Sequence, residues 1–186
     1  MAPTLLVSPT SSNVGASFGG RVHKIFVIGD INEESYREFS EKLTEIEQLN
    51  TKKSYDVLVE LNSGGGSALD ALAFCSRIRT SSCKINVVVH GFCGSAAVLV
   101  LAAGHRRSMA KEAWLMVHED SLNKFSGNTS EIEKQAKRLR VLEDQWCALL
   151  YELTGTSKEI WAELHKKDLY LTPEQCQRYG IVDEII

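Results

Sequence analysis

The sequence predicts an α/β protein built on a mainly parallel sheet, and two observations carry that expectation. Apolar, largely β-branched runs recur at 24–28, 55–61, 84–90 and 114–117, with helix-patterned stretches of about a dozen residues between the first three. Each run also stops abruptly at a glycine or a polar residue: Gly29-Asp30, Asn62-Ser63, Gly91 and His118. Strands that alternate with helices are joined by crossovers and pair in parallel. Functional groups in such sheets gather where strands end at their carboxyl termini.

Taken in order, Lys24 to Ile28 reads as the first strand. Asn32 caps a helix whose Tyr36, Phe39, Leu43 and Ile46 fall at helical spacing. Tyr55 to Leu61 is the second strand, followed by a loop, Asn62-Ser63-Gly64-Gly65-Gly66. Ser67 to Arg79 is a helix expected to bury Leu69, Leu72, Cys75 and Ile78. Lys84 to His90 leads into a glycine turn at Gly91–Gly94. Ser95 then opens a short apolar helix over Ala96 to Ala103, too short to cross a bilayer. Trp114 to Val117 is a strand, and the stretch at His105-Arg106-Arg107 reads as a loop. Ser130 to Leu153 is the longest helix, with Ile132, Leu139, Leu142, Trp146, Leu149 and Leu153 in one stripe. At about 1.5 Å per residue it outreaches a small domain, so it is expected to project and serve self-association. Thr156-Ser157-Lys158-Glu159 reads as a capping box, and Thr172-Pro173-Glu174-Gln175 starts a further helix that ends at Gly180. Ile181-Val182 reads as a closing strand. The expected organisation is therefore an arm over residues 1–21 and one domain over 22–186, with the projecting helix at about 130–153.

Composition narrows the function. The 186 residues are 44% hydrophobic and 24% charged with a net charge of -3. That suits one sizeable core and gives no basic field for nucleic acid. The five cysteines are odd in number, lack metal-ligand spacing and sit in apolar settings, which predicts buried free thiols and no metal or other cofactor. The first twenty residues have neither a basic start nor a long apolar core, so a cytoplasmic protein without a membrane span is expected.

The chemistry centres on Ser95. A strand, a glycine turn and a serine ahead of an apolar helix lift a hydroxyl to a helix N-terminus, where developing negative charge is favoured. A plain helix cap is the simpler reading, and the G-x-S-x-G elbow is not met because Cys93 and Ala97 occupy its glycine positions. A serine hydroxyl needs a base, and the base a group that holds its tautomer. His118, at a strand end, and Asp168, in a loop, are the candidates. His23, His90, His105 and His165 read as ordinary polar residues.

These residues resemble the ClpP family of serine peptidases, from about Ile25 to Ile186. The family's Asn-Ser-Pro-Gly-Gly loop corresponds to Asn62–Gly66 and its Gly-x-Ala-Ala-Ser turn to Gly91–Ser95. Its Met-Ile-His strand end corresponds to Met116–His118, and its C-terminal motifs to Asp168–Thr172 and Tyr179–Asp183. The resemblance implies a crotonase-like fold and a triad of Ser95, His118 and Asp168. It further implies an oxyanion hole from the amides of Gly66 and Ala96, and no cofactor. It also implies heptameric rings stacked into a tetradecamer, in homo-oligomeric or mixed form. Unfolded polypeptide would be the substrate, fed in by an AAA+ Clp unfoldase, and the helix at 130–153 would be the handle between rings. This chain departs from the family at Glu119-Asp120, at 121–124, at Gly64 and at Gly94, where the family has alanine; the last predicts a looser turn.

Other readings are a non-catalytic ring subunit of the same family, or a processing peptidase of this fold that works without an unfoldase. An acyl-CoA enzyme of the crotonase fold would not need Ser95, and a serine–lysine signal-peptide peptidase would need a membrane anchor.

Overall fold

One strand organises the sheet. The computed structural model describes residues 22–49, 56–118, 127–166 and 168–186; the expected arm at 1–21, Tyr55 and the altered segment at 119–124 lie outside them. Within these residues β1 (Val22–Ile31), β2 (Asp56–Gly66), β3 (Lys84–Gly94), β4 (Arg106–Met109) and β7 (Glu184–Ile185) form a parallel sheet in the order β1-β2-β3-β4-β7. β3 has two neighbours on one side. Its first half pairs with β4, and past Gly91 its second half pairs with β5 (Trp114–Val117), also in parallel. β6 (Leu169–Leu171) then joins β5 antiparallel. The expected α/β class with a mainly parallel sheet is thus observed.

The glycine run expected as a loop after Leu61 continues β2 to Gly66. Its backbone is taken up on both sides: Asp30 and Ile31 pair with Gly65 and Gly66 after a register shift, and Ser63 pairs with Cys93. Two short strands were not expected. Arg106–Met109 is β4 rather than loop, because it pairs with β3 and because Arg107 ties it to the C-terminal tail. The Arg107 backbone N–H and Nε donate to Asp183 Oδ2 at 2.8 and 3.0 Å. The closing strand lies at Glu184–Ile185, not at Ile181-Val182, whose side chains are buried ahead of it.

Helices α1 (Glu33–Leu49), α2 (Ala68–Arg79) and α3 (Ala97–Ala102) follow the first three strands. Asn32 caps α1 as expected, its Oδ1 accepting from the Ser35 N–H at 2.9 Å, and Ser67 caps α2. On α2, Cys75 and Ile78 are buried as expected and Leu72 packs partly buried against the core, but Leu69 is 69% exposed. Phe74 is buried instead, in the aromatic pocket made by Tyr36 and Phe39 of α1. α4 (Thr129–Thr154) matches the long helix, yet its buried residues, Trp146, Cys147 and Leu150, all lie in the last third. Ile132 and Val141 stay exposed, so the first half stands off the body. α5 (Lys158–His165) is capped by Ser157 rather than by a box from Thr156; the Thr156 hydroxyl donates instead to the Tyr179 carbonyl. α6 (Pro173–Arg178) has the expected Thr172–Gln175 capping box.

All five cysteines are buried and free. Burial pushes the Cys75 thiol up to about 11 and Cys176 up to about 12, so neither supplies a nucleophile. The ends of α1 and α2 are clamped by Glu47, which accepts from Arg77 Nη2 at 2.5 Å, Ser81 Oγ at 2.6 Å and the Ser82 N–H at 3.2 Å. The Arg77 hydrogen bond is the main reason its carboxyl is held down to about 2.

The exchange of Leu69 for Phe74 on α2, and the Glu47 clamp, can both be tested. Phe74→Ala should cost about 3–5 kcal/mol in urea unfolding, while Leu69→Ala should stay within about 0.5 kcal/mol. The opposite ranking would put Leu69 back in the core. A depressed folded-state pKa stabilises above the ordinary value of 4.5 and is lost as pH falls through about 2. Urea midpoints should therefore fall more steeply over that interval in the wild type than in Glu47→Gln.

Candidate active site

The carboxyl ends of β2, β3 and β5 meet at one edge, and each delivers one part of the site. β3 ends at Gly94, paired with Met116 of β5, and the next residue, Ser95, donates its backbone N–H to the Met116 carbonyl at 2.8 Å. That bond places Ser95 beside the residue two positions beyond Met116. Ser95 Oγ lies 2.8 Å from His118 Nε2.

Ser95 is not the helix cap. It has φ +50°, a left-handed conformation that costs a side-chain-bearing residue about 1–2 kcal/mol, and α3 is capped by Ala96 in a right-handed one. The turn is held from β2. A Cβ on Gly65, itself at φ +101°, would sit 2.7 Å from Ser95 Cβ, 2.7 Å from the Gly94 carbonyl and 2.9 Å from the Ala96 nitrogen. Gly66, at φ +147°, is glycine for a different reason from the one its position beside the serine suggests: a Cβ there would overlap the Ile31 carbonyl of β1. The space left at Gly94 is filled rather than loose, since a Cβ would meet the Phe92 ring at 2.8 Å. The Phe92 N–H in turn donates to Asn62 Oδ1 at 2.9 Å.

Asp168 immediately precedes β6, whose Leu169 pairs with Val117, the residue before His118. Asp168 is exposed and takes φ +44°, which aspartate tolerates better than most residues. Phe92 and Tyr170 stack at 6.3 Å across β5, fastening β6 to β3.

A cleft of ≈ 440 Å³ of atom-free space, open solvent included, lies over the pair. One side is Gly66, Ala68, Ser95, Ala96 and His118, which brings together both backbone positions expected beside the serine. The other side was not expected: Leu142, Glu143 and Trp146 of α4 and His165 of α5. Leu142 and Trp146 belong to the apolar stripe, but no local pattern places any of the four at the cleft. His165 looks like any polar residue at a helix end, and only the way α4 and α5 pack reveals that it faces the cleft. Among the described residues no cluster of side chains fits a metal ion.

The fold and this edge define an α/β protein with a serine hydroxyl and an imidazole in contact at the carboxyl ends of a parallel sheet. The family model for Clp protease matches residues 18–186, and the chain belongs to the Clp protease family. Among solved structures it is similar to a mutant of ClpP1 from Listeria monocytogenes, at 25% identity and a TM-score of 0.77 over 88% of this chain and 90% of that one. Membership makes the protein a ClpP-type peptidase, a hydrolase of peptide bonds.

The close approach of β2 to the serine turn is testable. Gly65→Ala should abolish covalent labelling of Ser95 by a fluorophosphonate while circular dichroism stays native, whereas Gly64→Ala, with no atom within 4 Å of the added carbon, should label normally. Equal labelling in both would show that the turn does not depend on that contact.

Proposed function

We propose that the chain is the proteolytic subunit of an ATP-dependent Clp-type protease, a serine endopeptidase that cuts unfolded polypeptides to short peptides. The observation that carries this reading is the 2.8 Å contact between Ser95 Oγ and His118 Nε2 in a cleft that also presents Gly66 and Ala96. His118 takes the hydroxyl proton as Ser95 Oγ attacks the carbonyl carbon. It then gives that proton to the leaving amine, and water releases the acyl group by the reverse sequence. Asp168, which precedes the Leu169 that pairs with Val117 beside His118, orients the imidazole and favours its charged form.

The amides of Gly66 and Ala96 receive the oxyanion. A single such donor is worth roughly 3–4 kcal/mol in other serine peptidases. Ala96 suits the task because it opens α3, whose first N–H groups have no acceptor within the helix.

Family membership supports assembly into stacked rings, homo-oligomeric or mixed, with the chemistry inside a closed chamber and an AAA+ unfoldase supplying the chain. The exposed first half of α4 is suited to contact between rings. No helix among the described residues is long and apolar enough to cross a membrane, and we place the enzyme in the cytoplasm.

On assembled rings a fluorophosphonate should label the wild type at Ser95 and leave Ser95→Ala blank. Ser95→Ala and His118→Ala should each lower peptide hydrolysis by at least about ten-thousand-fold. A wild-type ring that neither labels nor hydrolyses would instead make this a non-catalytic subunit.

A further inference from the structure

The wall of the cleft facing Ser95 holds two polar groups that the proposed chemistry does not use. His165 is only 8% exposed, and its Nδ1 lies 2.8 Å from the Trp161 carbonyl oxygen one turn back, with Cys147 Sγ at 4.0 Å. A carbonyl oxygen only accepts, so Nδ1 carries the proton, and in the neutral ring Nε2 offers a lone pair. Both contacts of His165 run through Nδ1. Among the described residues no buried side-chain nitrogen or oxygen lacks a partner, and His165 lines the cleft, which leaves Nε2 as its nitrogen for a bound group. Glu143 brings a second acceptor. It stands one turn before Cys147 on α4, and its carboxylate adds to the burial that pushes the Cys147 thiol up to about 11. Leu142 and Trp146 complete the wall with apolar surface.

We infer that Glu143 and His165 select the substrate residue whose carbonyl Ser95 attacks, favouring an unbranched side chain that ends in N–H donors, lysine first and glutamine next. This rests on the reading of Ser95 as the nucleophile, since the side chain beside the attacked carbonyl is the one that enters this cleft. Both end groups accept and neither donates in the neutral ring, so an ammonium meets a carboxylate and a lone pair together. An apolar chain of the same length leaves both acceptors unpaired, and a carboxylate meets like charge. Leu142 and Trp146 can cover the methylenes of such a side chain.

Four peptides, identical except for Lys, Gln, Met or Glu at that residue, test the pocket on assembled enzyme, because these side chains share an unbranched Cβ–Cγ stem, differ by at most one atom in reach and end in different chemistry. Expected kcat/KM falls in the order Lys, Gln, Met, Glu, with Lys at least about tenfold above Met. Glu143→Gln should bring Lys down to the level of Gln, and Glu143→Leu should raise Met to or above Lys. Met equal to or better than Lys in the wild type overturns the assignment, as does a Lys preference that survives both variants. Fluorophosphonate labelling of Ser95, run in parallel, separates the two failures. Labelling with the wrong order sinks only the pocket, whereas no labelling and no cleavage sinks the peptidase reading on which it stands.

Discussion

The pairing of the end of β3 with β5 is the constraint on which the rest of this structure depends. Gly94 opposite Met116, closed by the Ser95 N–H to the Met116 carbonyl, leaves Ser95 and His118 as near neighbours although they stand 23 residues apart in the chain. Everything around the bond protects that register. β4 occupies the first half of β3, so β5 can pair only with the second half. β2 then runs its glycines under the turn, close enough that one methyl group would displace the serine. The left-handed conformation at Ser95 persists because packing on three sides outweighs a cost of about 1–2 kcal/mol.

Much of this was legible in the sequence because alternation of apolar strands and amphipathic helices reports burial directly. Strand ends marked by Gly91–Ser95, by Asn62–Gly66 and by His118 correctly predicted one shared edge, since parallel strands end on the same side. The contact between the serine and histidine side chains was equally legible, as both lie at strand ends where the backbone dictates the side-chain position.

What escaped sequence reading has a common physical cause. β4, β6 and β7 are two to four residues long, too short for a period of two to register, and exist because a longer neighbour recruits them. On α2 only Leu69 was misplaced, because Leu69 and Phe74 compete for burial and the Tyr36–Phe39 pocket on α1 decides between them. The far wall of the cleft was invisible for a similar reason. Trp146 belonged to the apolar stripe and His165 to the helix end, and neither pattern says which surface the two helices meet on.

The place of β6 in the sheet gives it a mechanical meaning. β6 pairs with β5 alone and runs opposite to it, whereas the other pairings of the sheet are parallel. Its three residues can therefore leave or rejoin the sheet without breaking any of the parallel ladders that hold Ser95 beside His118.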